Sequence, residues 1–232
     1  MSSASSIQNS TDPNRVILYM DYISQPCRAV LAYMMINQIP YEIREIRIFK
    51  GQTLTDEFKA ISPTQKLPTI VHQGFTLVES HAILTYLASV FPVDEQWYPR
   101  DPKIRAQIDC YLHWHHANIR HAVSSFLYHK KILPKITGQQ ISEELEKEFL
   151  RSQHLSFKFI ENILKQGLYV GRTQRPSIAD ISCYCEAIQL YLVNFNYEKY
   201  PEICRWMREI GEIPAIKEAS KPFFKIVQRV KL

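Results

Sequence analysis

The sequence predicts two layers in series: an α/β domain on a small mixed sheet, followed by an all-helical bundle. Between residues 16 and 92, short apolar runs of strand character alternate with helical stretches, and two of those runs flank a tight turn at Gln73-Gly74. The stretch from Pro92 to Pro102 holds three prolines and reads as a linker. No strand signal follows Val78, and beyond the linker apolar residues recur at helical spacing. The expected organisation is a polar tail over 1–15, the α/β domain over 16–92, a linker over 93–101 and the helical domain over 102–232.

Element by element, Val16-Ile17-Leu18-Tyr19 is a compact apolar run that suits a buried strand. Ser24-Gln25-Pro26 then reads as a helix start, with a hydroxyl at the cap and a proline in the first turn, where its missing N–H costs nothing. That helix continues through Ala29 to Ile36 and closes near Asn37 and Pro40. Over Tyr41 to Ile48, Ile46 and Ile48 fit a strand while Ile43 falls out of strict alternation. A short helix precedes the hairpin of Pro68–His72 and Phe75–Val78, and Glu79-Ser80 opens a helix through Ile83, Leu84, Tyr86, Leu87 and Val90.

In the second half, Asp101-Pro102 pairs a cap with a first-turn proline, and the helix is expected to run to about Lys130 on Ile108, Tyr111, Leu112, Ile119, Val123, Phe126 and Leu127. Pro134 to Gly138 interrupts it. Ser142-Glu143-Glu144 places acids in a first turn, and that helix ends near Gly167. Ser177-Ile178-Ala179-Asp180 is a capping-box pattern, and Tyr200-Pro201 begins a shorter helix that Gly211 ends.

Bulk properties narrow the function classes. A hydrophobic share of 46% and a charged share of 22% over 232 residues are those of an ordinary globular chain. No apolar run approaches the roughly 18 residues of a membrane span. Met1 to Arg15 is rich in Ser, Asn and Thr with no hydrophobic core, so neither a signal peptide nor a membrane partner is expected and the cytoplasm is the default location. Five scattered cysteines are an odd set without disulfide or zinc spacing. The net charge of +5 is mild and its longest basic run is Lys130-Lys131, so no nucleic-acid partner is expected, whereas anionic small molecules would suit it. His113, His115, His116 and His121 lack a carboxylate in register, and no metal is expected there.

Three separated features carry the chemistry: the strand-to-helix turn at Ser24, the segment Ser62-Pro63-Thr64-Gln65-Lys66-Leu67-Pro68-Thr69 with its proline directly before a strand, and Glu79-Ser80 at a helix start. In this order and spacing, and with Tyr19-Met20-Asp21-Tyr22-Ile23-Ser24-Gln25-Pro26-Cys27-Arg28, Trp97-Tyr98-Pro99 and Asp101, the chain from residue 16 to about 230 resembles the theta-class glutathione transferases. The resemblance implies an N-terminal thioredoxin-like domain, a C-terminal helical bundle, glutathione as cosubstrate, a homodimer, and no metal or prosthetic group.

It also implies roles. The Ser24 hydroxyl donates to the sulfur of glutathione; Leu67, before a cis Pro68, offers its backbone to the cysteinyl unit; Lys66 pairs with the glycyl carboxylate; and Glu79 with Ser80 holds the γ-glutamyl end at a helix N-terminus. Thr53 stands where members often carry a histidine that touches the glycyl end, which is a departure, and Arg120 matches a theta position that reaches toward the site. The chain stops soon after Val230, which implies a more open electrophile site. Making a thiol about a hundredfold more acidic takes roughly 2.7 kcal/mol; one hydrogen bond to a charged group supplies about 1.5–3 and a helix N-terminus about 0.3–2. Serine at 24 with Cys27 cannot form the disulfide of a thioredoxin-like reductase, and Cys27 reads as a small buried hydrophobe. A non-catalytic transferase-like binding or assembly module, and a glutathione-dependent peroxidase, remain the alternatives.

Overall fold

The computed structural model describes residues 14–230, so the expected polar tail lies outside the described residues except for Asn14 and Arg15. Strand β1 (Val16–Met20) buries Val16, Leu18 and Met20 completely while Ile17 and Tyr19 are half-buried, the alternation of a strand with unlike faces. Helix α1 (Gln25–Ile36) returns the chain to β2 (Tyr41–Glu45), which lies parallel to β1 with Met20 opposite Glu45. After α2 (Asp56–Ile61) come β3 (Thr69–His72) and β4 (Phe75–Val78), then α3 (Ser80–Val90). The sheet order is β2-β1-β3-β4, with β3 antiparallel to both its neighbours. The hairpin turns on Gln73 and Gly74 at φ +51° and +79°, the two left-handed residues of a tight hairpin.

The second strand is shorter than its sequence suggests. Beyond Glu45 only the Ile46 N–H stays on the sheet, donating to the Met20 carbonyl at 2.8 Å. The Ile48 N–H instead donates to Asp21 Oδ2 at 2.9 Å, and two tight turns of 3-10 helix follow over Ile48–Lys50 and Gln52–Leu54.

Among its described residues the second domain has helices and connecting loops but no strand. Asp101 caps α4 (Pro102–His115), accepting from the N–H groups of Lys103 and Ile104 at 2.9 and 3.0 Å. The helix then loosens to π-type winding over His116–Ser125 and Tyr128–Ile132 and passes into α5 (Leu133–Thr137). Pro134 therefore does not interrupt it, because it occupies the first turn of a rewound segment, where its missing N–H has no helical acceptor; Gly138 at φ +75° is the true stop. Helices α6 (Glu143–Leu164), α7 (Ile178–Ala187, continued as 3-10 helix over Ile188–Val193), α8 (Pro201–Gly211) and α9 (Pro214–Val230) complete the layer.

Helix α1 holds the halves together. It packs on α3 within the first domain and on α7 and α9 of the second, so all ten residues from Gln25 to Met34 are buried. A helix covered on several sides needs no polar face. The linker is pinned as well: the Ile178 N–H donates to the Trp97 carbonyl at 2.9 Å, and the Tyr98 hydroxyl donates to Asp109 at 2.8 Å.

Candidate active site

The register of the sheet brings the three motifs to one edge. Tyr19 faces Thr69, and Thr69 in turn faces Val78, so a single row crosses β1, β3 and β4. Asp21 to Ser24 leave β1 just past that row, Leu67-Pro68 enter β3 just before it, and Glu79-Ser80 leave β4 just beyond it. The turn carrying Thr53 follows β2 from the same edge, where Glu45 lies beside Met20. Two helix N-termini, those of α1 and α3, open there and concentrate positive dipole on it.

Ser24 occupies the N-cap position of α1 at φ −76°, ψ 117°, but its side chain makes no capping hydrogen bond. The expected hydroxyl cap is thus corrected: the serine is half-buried and makes no side-chain capping bond, and the Cys27 thiol follows in the same turn. Burial pushes that thiol up to about 11, and the Ser24 hydroxyl pulls it back only in part. Cys27 is fully buried, as a small apolar residue would be.

Leu67-Pro68 is a cis peptide bond. Among the described residues nothing engages the N–H or C=O of half-buried Leu67. Lys66 is exposed, and its carbonyl accepts from the Thr69 hydroxyl at 2.8 Å. Glu79, not Ser80, is the N-cap residue of α3 and sits at φ +69°, ψ 108° without a side-chain capping bond. A non-glycine residue held there stores about 1–3 kcal/mol of backbone strain, a cost that the surrounding structure must sustain. Ser80 is the first helical residue and is buried. The Thr53 carbonyl accepts from Gln65 Nε2 at 3.1 Å, which ties its turn to the segment before Lys66.

Arg120 is partly exposed and sits 3.8 Å from Glu186, a fully buried carboxyl on α7. Burial pushes the Glu186 carboxyl up to about 7, against the pull of Arg120 and the Ser124 hydroxyl. The four histidines of the long helix do not share one site. His113 Nδ1 meets the Asp109 carbonyl at 2.8 Å, and His121 packs on the Phe149 ring. His115 and His116 lie against the ring of His81, which burial and those two neighbours push down to about 2. Among the described residues no three His, Cys, Asp or Glu side chains are placed to hold a metal ion. Neither is any helix there long and apolar enough to cross a membrane.

Sequence reasoning missed four residues at this edge. Asp21 is buried and accepts from the N–H groups of Ile23 and Ile48 at 3.1 and 2.9 Å, which shapes the loop that carries Ser24. Gln25, Arg28 and Glu186 join that loop to α7. The signal for two of them was a lone charge inside an otherwise uncharged helical run, Arg28 in Cys27–Leu31 and Glu186 in Ile181–Leu190.

Comparison with known proteins fits this architecture. The family profile "Glutathione S-transferase, N-terminal domain" matches residues 18–96, and "Glutathione S-transferase, C-terminal domain" matches residues 118–214. Glutathione S-transferase theta-1 of mouse is 31% identical over 217 residues, covering 92% of this chain and 89% of that protein. Theta-2 of rat is 34% identical over 215 residues, covering 90% and 87%. Among solved structures, apo human glutathione S-transferase T1-1 superposes with a TM-score of 0.83 at 30% identity, over 93% of this chain and 90% of that one. Human theta-2, solved with glutathione and an unknown ligand, gives 0.85 at 28% identity over the same shares. The edge at which Ser24, Leu67-Pro68 and Glu79-Ser80 converge thus sits on the fold of those enzymes, and the chain belongs to the glutathione S-transferase family, resembling its theta class.

Proposed function

We propose that the protein conjugates glutathione to small electrophiles, with Ser24 stabilising the glutathione thiolate by a hydrogen bond. The observation that supports it best is the row Tyr19–Thr69–Val78, which sets the three motifs beside one another at an edge where two helices begin. The γ-glutamyl carboxylate is an anion suited to the N-terminus of α3 beside Ser80, with Glu79 facing the same moiety. The cysteinyl unit lies along the open backbone of Leu67 before Pro68, and the glycyl carboxylate meets Lys66, with Thr53 and Arg120 flanking the tripeptide.

The sulfur then sits at the start of α1. The Ser24 hydroxyl, not committed to capping, donates to it, and the helix dipole adds a smaller share. The thiolate so favoured is the nucleophile: it forms a bond to the electrophilic carbon, and the leaving group departs with the electron pair. A homodimer in the cytoplasm belongs to the same proposal, and exposed Phe75, Val90 and Ile104 offer apolar surface for a partner copy. Steady-state kinetics with alkyl halides, epoxides, aryl halides and peroxides test the reaction class. Ser24→Ala is expected to lower kcat by about 10- to 100-fold, the loss of one charge-assisted hydrogen bond, with glutathione affinity changed less than about threefold. Unchanged kcat in Ser24→Ala contradicts the assignment.

A further inference from the structure

The loop that carries Ser24 is held from the far domain. On its upstream side, fully buried Arg28 donates through one guanidinium nitrogen to the carbonyls of Tyr22 and Ile23, at 2.8 and 3.0 Å. Its other terminal nitrogen donates to the Cys185 carbonyl at 3.0 Å and to Gln189 Oε1 at 3.3 Å, and the guanidinium lies 4.1 Å above the Phe223 ring of α9. On the downstream side, Gln25 Nε2 donates to Glu186 Oε2, while the Ser124 hydroxyl donates to Glu186 Oε1 at 2.6 Å. Arg120 and His115 approach the same Oε2 at 3.8 and 3.6 Å. Residues on both sides of Ser24 are therefore tied to one short stretch of α7.

We propose that Glu186 is a positioning residue for Ser24, holding the first turn of α1 against the helical domain so that the hydroxyl is aimed at the glutathione sulfur. The proposal rests on the role assigned above to Ser24. The carboxyl group is fully buried, so it does not reach the reactants itself; it acts through Gln25, the residue next to the serine. Burying an acid is costly, and a side chain surrounded by Gln25, Ser124, His115 and Arg120 recovers that cost through contacts that cross from one domain to the other. A glutamine at 186 changes this set: its one acceptor oxygen serves Gln25, its NH2 reverses the contact by donating to the Ser124 hydroxyl, and the charge that Arg120 faces is gone.

The test is a double-mutant cycle on kcat, with glutathione affinity measured separately by calorimetry. Glu186→Gln is expected to lower kcat about tenfold in the otherwise native protein but less than about twofold in the Ser24→Ala background, because the serine through which it acts is gone. Glutathione affinity should change less than about twofold. Equal losses in both backgrounds, or a loss confined to glutathione affinity, overturn the positioning role while leaving that of Ser24 intact. Full activity in Ser24→Ala overturns both. Should Glu186→Gln not fold, Ser124→Ala removes one hydrogen bond to the same carboxyl, and the same cycle is expected to show a loss of about two- to fivefold that vanishes in the Ser24→Ala background.

Discussion

At the scale of single residues, the hydroxyl of Ser24 has two competing uses. A serine before a helix ordinarily accepts from a backbone N–H of the first turn, a contact worth about 1 kcal/mol. Here it makes no such bond, and Pro26 has removed one of the candidate donors. A hydroxyl not spent on capping is what the proposed contact with the glutathione sulfur requires. Ser80 differs in kind: it is buried at the first position of α3, next to strained Glu79. Its proposed partner is the γ-glutamyl end, so Ser80→Ala should weaken glutathione binding about tenfold, roughly 1.4 kcal/mol, without lowering kcat at saturation. Isothermal titration checks it, and an unchanged Kd would remove Ser80 from the site. None of this follows from residue identity. Sequence patterning singled out Ser24, Pro68 and Glu79-Ser80 as candidates, but not that Glu79 rather than Ser80 would take the cap, because both readings place a helix at the same point.

At the scale of elements, local chemistry carried most boundaries. The caps at Asp101 and Ser142 and the capping box at Ser177 form as their residue types demand, since each supplies an acceptor where a helix leaves N–H groups unpaired. The failures have tertiary causes. Strand β2 stops early because Asp21 captures the Ile48 N–H, a contact 27 residues away in sequence. Pro134 does not break the helix because the preceding turns have already loosened, which hydrophobic spacing does not reveal. What the set of Arg28, Gln25 and Glu186 joins was equally hidden, because a polar residue in an apolar run does not say which helices pack together. Asp180 illustrates a structural acid: fully buried, it accepts from the N–H groups of Val170 and Ser177, the Ser177 hydroxyl and Trp206 Nε1, all between 2.9 and 3.1 Å. Asp180→Ala strands those donors and should cost about 3 kcal/mol in urea denaturation. Glutathione affinity should be unaffected, because none of these groups lies at the sheet edge.

At the scale of the whole molecule, two buried carboxyls make stability depend on pH. Burial pushes Asp180 from its usual 3.8 up to about 6, and Glu186 from 4.5 up to about 7. The folded protein holds both protons more tightly than the unfolded chain. Their contribution is therefore fully present below the unfolded values and is lost as pH rises through about 6 to 7. The groups facing Glu186 are Arg28 from α1, His115 from α4, and His116, Arg120 and Ser124 from the π-type segment; burial holds both histidines below their usual range. Glu186→Gln carries no proton to lose, so its urea midpoint should gain on that of the native protein between about pH 5 and pH 8. A constant difference would mean that the carboxyl does not titrate in that window. The same domain contact that costs stability on ionisation holds the loop on which the proposed chemistry depends. That chemistry is tested most directly by the ultraviolet absorbance of bound glutathione thiolate, titrated against pH in the native protein and in Ser24→Ala. The native complex should ionise about two pH units below free glutathione and the variant within about half a unit of it; coincident titrations of the two proteins would contradict the role of Ser24.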